Sequence, residues 1–224
     1  MSWGIGDCFE DKGRGRDAGI CAGYGKMHSG GGALRACQTR QAEMTDNRCG
    51  KRSMKILVCG AGVIGTLYGA RLQQAGHQVT VLARASRLAD IEQHGLLLEN
   101  VVNGDRMATG VGLTECLGPN DRYDIALVTV RRDQLSGIMP DLQANRNIPV
   151  LLFMLNNPSG SGHLADACGP DRVMHGFPGA GGTLDGPLVR YAMIPQQPTT
   201  LGDPRGVRTG RPRMLRDVLR KAGF

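Results

Sequence analysis

The strongest constraint in this sequence is a glycine hexapeptide set between an apolar run and an amphipathic one. Residues 55–59, Lys55-Ile56-Leu57-Val58-Cys59, lead directly into Gly60-Ala61-Gly62-Val63-Ile64-Gly65. The first run has the length and apolar content of a buried strand. Residues 63–75 then predict a helix, with Ile64, Leu67, Tyr68, Arg71, Leu72 and Ala75 on one side and Gly76 placed to end it. Residues 79–83 predict a second strand. Two strands joined by a helix in this order form a right-handed parallel crossover, which leaves few topologies open. The three glycines do different things. Gly60 permits a tight turn, Gly62 lets a ligand approach the backbone, and Gly65 lets helix and strand pack closely. The helix N-terminus adds unpaired N–H donors that favour an anion. Alone, the hexapeptide is a glycine-rich turn. In this order of elements it points to a dinucleotide whose pyrophosphate contacts residues 60–65.

The same rhythm continues downstream. Residues 87–94 suggest a short helix, and residues 96–101 and 107–113 suggest two strands flanking Asn103-Gly104, a hairpin signal because both residues accept positive φ. Residues 125–130 and 150–155 are predicted strands. Residues 134–144 read as a helix that bends or restarts at Pro140, and residues 162–168 as a short helix. Short strands follow at 173–177, 188–194 and 199–201. A last helix over 214–222 has Met214, Leu215, Val218, Leu219 and Ala222 on one face and Arg213, Arg216 and Arg220 largely opposite. Strands alternating with helices give an α/β fold, Rossmann-like and doubly wound around a mostly parallel sheet.

The end of the second strand distinguishes NAD from NADP, because the adenosine ribose lies there and an acid would bind its free 2′-hydroxyl. Here the sequence is Ala83-Arg84-Ala85-Ser86-Arg87, with no acid before Asp90. Arg84, with Arg87 as a second candidate, offers a fixed cationic fork to a 2′-phosphate. The expected cofactor is therefore NADP(H). The alternative is a pair of solvated surface arginines.

Composition narrows the classes further. The net charge of +7 is split between +3 in residues 1–53 and +4 in the remainder, so neither part forms a concentrated basic patch. Aromatic residues make up only 4% of the chain, too few for base-stacking platforms, and nucleic acid is not an expected partner. Apolar runs fall short of the roughly 20 residues that span a membrane, so no membrane association is expected. Seven cysteines without close pairs or a secretory signal fit reduced thiols and a cytoplasmic location. Cys59 reads as a small core hydrophobe. No metal site is expected, because the four cysteines before residue 53 are separated by 12, 15 and 11 intervening residues rather than set in close pairs. Residues 1–53 carry eleven glycines and no apolar period, which predicts a disordered leader, a cloning remnant or upstream-start artefact ahead of a natural start at Met54. Residues 54–224 are then an NADP-binding Rossmann domain.

The chain from Met54 onward resembles the N-terminal cofactor domain of the ketopantoate reductase (2-dehydropantoate 2-reductase) family, in a divergent branch. The resemblance rests on the glycine motif, on Arg84, on Tyr123-Asp124-Ile125-Ala126-Leu127-Val128-Thr129-Val130, on Asn156, and on residues 176–186, Gly181 among them. It implies cofactor contacts from Arg84, Arg131, Asn156 and Gly181 and a 2-oxoacid substrate whose ketone is reduced. Two positions depart from the family's pattern. Arg131, followed by Arg132, replaces a lysine, and Asn156-Asn157-Pro158 replaces Asn-Gly. The family's catalytic lysine and a nearby glutamate belong to a following helical domain. From Met54 onward the only lysines are Lys55 and Lys221. The expectation is thus a cofactor domain without its helical partner, inactive alone and able to self-associate through the surface left uncovered; a non-enzymatic NADP-binding module or a truncated fragment is the alternative.

Overall fold

A computed structural model describes residues 53–155, 162–203 and 210–224. The expected leader, residues 1–53, lies outside the described residues except for Ser53, and so does Asn156.

The chain runs β1 (Lys55–Cys59), α1 (Val63–Gln74), β2 (Gln78–Leu82), α2 (Ala85–His94), β3 (Leu96–Asn100), β4 (Arg106–Thr109), β5 (Gly112–Thr114) and β6 (Ile125–Val128). It continues with a 3₁₀ turn (Arg132–Gly137), α3 (Met139–Ala144), β7 (Leu151–Phe153), α4 (Gly162–Cys168), β8 (Val173–Phe177), β9 (Ala180–Asp185), β10 (Leu188–Met193), β11 (Thr200–Gly202) and α5 (Gly210–Lys221). The helical run around Pro140 does restart, with Pro140 in the first turn of α3, where its missing N–H costs nothing.

Seven strands form one sheet in the order β11-β8-β7-β6-β1-β2-β5. All its neighbours are parallel except the edge pair β11 and β8. This is the Rossmann-like α/β architecture. Its central strands are buried on both faces, as a parallel sheet covered by helices requires. Ile56, Val58, Ile125 and Leu127 enter the core on one face. Their neighbours Leu57, Cys59, Ala126 and Val128 enter the other, beside Leu142 of α3 and Leu164 of α4.

Of a second sheet, β4-β3-β10-β9, the sequence patterns anticipate the β3–β4 hairpin and strand β10 but not β9 or the joining of the four strands. Residues 107–113 do not form one strand. Arg106–Thr109 pairs antiparallel with β3, whereas Gly112–Thr114 joins the otherwise open edge of β2 in the large sheet. Strand β9 begins Ala180-Gly181-Gly182, residues with no strand propensity, and is held by six register pairs with β10. The small sheet packs against α1, which also packs on β1 and β2. Consequently α1 is not amphipathic in the expected way: Gly65, Thr66, Leu67, Tyr68, Gly69, Ala70 and Leu72 are all buried. Cys59 and Cys168 are free buried thiols, while Cys116 is disulfide-bonded, a departure from the expectation of reduced thiols throughout.

Candidate functional site

The register of the large sheet brings three strand ends level. Cys59 of β1 pairs with Leu82 of β2 and with Val128 of β6. The chain order reverses at this point, because β2 lies on one side of β1 and β6 on the other. A crevice beyond the carboxyl ends at such a switch point is where open α/β sheets bind ligands. The loops after β1, β2 and β6 carry residues 60–65, Arg84 and Arg131 respectively.

The glycine loop is shaped by close approach. Gly60 has φ +103°, and a Cβ there would stand 2.8 Å from Val130 Cγ1. A Cβ on Gly65 would run into the Gly60 carbonyl oxygen and come within 2.6 Å of Thr129 Oγ1. Gly62 differs: no atom lies within 4 Å of the place its Cβ would take. Backbone there is open, as approach by a ligand requires. Gly62 is also the N-cap of α1, contributes no side-chain cap, and is followed by no acid in the first turn. Val63 and Ile64 complete that turn, partly buried against the core.

The carbonyls of this loop are taken by the protein itself. Thr129 Oγ1 donates to the oxygens of Cys59 and Gly60, at 3.1 and 2.9 Å. Thr66 Oγ1 donates to the Ala61 oxygen at 3.2 Å, and the Thr66 N–H donates to the Gly62 oxygen at 2.9 Å. Arg87 Nε also donates to the Ala61 oxygen, at 2.9 Å. The acceptors of the loop therefore face inward, leaving donors to face the crevice.

The two arginines after β2 diverge. Arg84 is exposed and, among the described residues, makes no hydrogen bond or ion pair. Its guanidinium reaches toward the 3₁₀ turn after β6, where a Cβ on Gly137 would lie 3.5 Å from Nη2. Ala85, directly after it, has φ +50°, a left-handed conformation that costs an L-residue about 1–2 kcal/mol. Arg87 is engaged by the protein itself. Besides Ala61, it donates to Pro187 O and to Thr66 Oγ1, both at 3.0 Å, and Asp90 lies 3.9 Å away. Burial pulls its pKa down while Asp90 acts in the opposite direction.

Arg131 lies at the crevice on the β6 side and pairs with Asp133 at 2.8 Å; both side chains are mostly exposed. Gly181 is not brought to this edge. It sits on β9 in the small sheet, paired with Ala192. Cys59 closes the loop from below, its thiol pushed up to about 12 by burial and, secondarily, by Asp141. It is a packing residue and not a nucleophile. Among the described residues no cluster of three or more His, Cys, Asp or Glu side chains is placed to hold a metal ion, and no helix is long and apolar enough to cross a membrane.

Sequence reasoning missed Thr66, Thr129 and the role of Arg87. Their partners are main-chain carbonyls, which leave no mark in residue type; the one usable signal was the presence of two polar residues, Thr66 and Thr129, within otherwise apolar surroundings.

Two curated relatives named 2-dehydropantoate 2-reductase match at 28% identity. The protein from Mesorhizobium japonicum matches over 76% of this chain and 58% of its own length; that from Archaeoglobus fulgidus matches over 77% and 55%. The chain thus spans a little over half the length of the curated relatives it matches. Among solved structures, a putative ketopantoate reductase from Ralstonia solanacearum superposes with a TM-score of 0.65 at 20% identity, over 77% of this chain and 59% of that one. D-mandelate dehydrogenase in a ternary structure with NADH and anilino(oxo)acetate gives 0.64 at 20%, over 76% and 55%. These likenesses are to the fold. The family model described as ketopantoate reductase PanE/ApbA matches residues 56–206, a span that includes the glycine loop, both arginines after β2, Arg131 and the whole small sheet. The chain belongs to the ketopantoate reductase family.

Proposed function

We propose that this chain is the NADP(H)-binding domain of an oxidoreductase resembling 2-dehydropantoate 2-reductase. When bound, the cofactor would supply a hydride to the ketone carbon of a 2-oxoacid. The residues of this chain would bind and orient it. Residues 60–65 would hold the pyrophosphate through backbone donors, and Arg131 would exchange its exposed partner Asp133 for cofactor charge. Gly181 and Asn156 enter this reading on the family resemblance alone.

The observation that carries the choice of NADP(H) is Arg84. It stands at the carboxyl end of β2, exposed and without a partner among the described residues, where an NAD site would have an acid. A charge-assisted bond to phosphate contributes about 1.5–3 kcal/mol, or roughly tenfold or more in affinity. NADPH should therefore bind at least that much more tightly than NADH in a fluorescence titration, and Arg84→Ala should remove the preference. Equal affinities in the unaltered chain would sink the assignment.

The second reading, a binding module without catalysis, is favoured by the lysines. Lys55 opens β1 at the amino edge of the sheet, and Lys221 lies near enough to His77, just before β2, to repel its protonation. Neither is at the crevice. NADPH oxidation in the presence of ketopantoate and other 2-oxoacids separates the two: turnover near 1 s⁻¹ lies in the ordinary enzyme range and favours the reductase. Tight NADPH binding without turnover favours the module, for which a cytoplasmic location and self-association are part of the same proposal.

A further inference from the structure

Arg87 is the most heavily engaged polar side chain near the crevice, yet it faces away from it. Its side chain is only 14% exposed. Its donors reach three separate pieces of the molecule: the glycine loop at Ala61 O, helix α1 at Thr66 Oγ1, and the turn between β9 and β10 at Pro187 O. The last belongs to the small sheet. Three of the five N–H donors of this guanidinium are thus committed to the protein, with Asp90 3.9 Å away.

The consequence for the loop follows from peptide geometry. A trans peptide is planar, with its C=O and N–H pointing in opposite directions, and no cis bond occurs among the described residues. Holding the Ala61 carbonyl inward with Arg87 Nε and Thr66 Oγ1 therefore aims the Gly62 N–H outward. A Cβ at Gly62 would also meet nothing within 4 Å, so the residue is open to close approach. By the same geometry Thr129, holding the Gly60 carbonyl, aims the Ala61 N–H. Thr66 and Thr129 act from elements next to the loop. Among the described residues, Arg87 links the loop to the small sheet by side-chain hydrogen bonds.

We infer that Arg87 is a positioning residue that aims the Gly62 N–H at the cofactor pyrophosphate and couples the β9–β10 turn to that geometry. This rests on the NADP(H) reading for the identity of the ligand; the orientation of the loop does not. An Arg87 that instead bound the 2′-phosphate would act at the other end of the nucleotide, so ligands that carry only one of the two groups separate the roles.

Three chains would be compared: the parent, Arg87→Lys and Arg87→Met. NADPH carries both pyrophosphate and 2′-phosphate, whereas 2′-AMP carries only the latter. Arg87→Met should weaken NADPH tenfold or more and leave 2′-AMP within about twofold, since a buried carbonyl loses its charged donor and the loop its fixed orientation. Arg87→Lys, which can reach one of the three acceptors, should fall between. Equal losses for both ligands, or no loss for either, would overturn the inference. Amide exchange of residues 61–66 without any nucleotide gives an independent reading. It should quicken at least tenfold in Arg87→Met while Ile56–Val58 stay protected, and unchanged exchange in the loop would overturn the inference as well. A parent chain that binds neither ligand would refute the cofactor reading, and the exchange result would still decide whether Arg87 holds the loop.

Discussion

At the scale of single residues, the glycines of the hexapeptide separate stability from binding. Gly65 touches its own protein: an added methyl meets the Gly60 carbonyl and Thr129 Oγ1. Backbone cannot yield as a flexible side chain does, so Gly65→Ala should cost about 1–3 kcal/mol, the usual range for overpacking, seen as a lower urea midpoint. Gly62 touches nothing, and its φ of −75° suits any residue. Gly62→Ala should leave the midpoint within the roughly 0.5 kcal/mol scatter of surface changes and weaken NADPH, because the methyl would occupy the space kept open for the ligand. A stable Gly65→Ala, or an unfolded Gly62→Ala, would contradict this division. These two roles were readable from the motif spacing. The inward locking of the carbonyls was not, because Thr66, Arg87 and Thr129 meet them only after the chain has folded.

At the scale of elements, sequence patterns succeeded where burial and periodicity agree. Strands β1, β2 and β6 are rich in β-branched and apolar residues, and each falls within two residues of its expected bounds. The β3–β4 hairpin and β10 of the small sheet were legible, whereas its β9 and the end of β4 were not. Its β9 is rich in glycine, and its β4 appeared continuous with β5 until pairing drew them to different sheets. Helix α1 misled because Gly65, Thr66 and Gly69 do not count as apolar, yet all are buried. Small residues bring helix and strands close together. A Cβ on Gly69 would already meet Leu96 Cδ1 at 3.3 Å.

The connections between elements depend on a few buried polar side chains. Asn145, at the end of α3, is fully buried. Its Nδ2 donates to the oxygens of Gly118 and Asp121 at 2.7 and 2.9 Å, and its Oδ1 accepts from the Asn147 N–H at 2.9 Å. It thereby fixes the segment that leads into β6. Removing one partner strands the others away from water, so Asn145→Ala should cost about 1–3 kcal/mol or more. Thermal unfolding would show it, and a midpoint shift under about 1 °C would mean that water replaces the amide.

At the scale of the whole molecule, two histidines, His77 buried and His175 partly so, make stability depend on pH. His77 and His175 both have their pKa lowered, first by burial; Lys221 adds to this for His77, and His163 adds to it for His175, while Asp203 opposes it. The Nδ1 of His77 accepts from the Met54 N–H at 3.3 Å, which also suits the neutral ring. Among the described residues the buried Nε2 atoms of both rings have no hydrogen-bond partner. In the unfolded chain each imidazole titrates near pH 6.5, so as pH falls the unfolded state takes up protons first. Their contribution is therefore complete above about pH 6.5 and declines as pH drops through the lower folded values. Urea midpoints measured between pH 8 and 5 should fall over that window, and His77→Gln with His175→Gln should flatten the profile. An equally steep fall in the double variant would assign the effect to other groups.

The burial of α1 between two sheets also bears on how the chain is made. The large-sheet side of this helix is covered early, by β1 and β2. Its outer side is covered by β3 and β4 and, finally, by β9 and β10, with β10 entering parallel to β3 across a long stretch of chain. During synthesis from the N-terminus, the helix that opens at the cofactor crevice emerges long before the strands that complete its cover. For that interval its outer face is bare to water or to a chaperone, and the crevice acquires its fixed geometry only once residues beyond Met193 have left the ribosome.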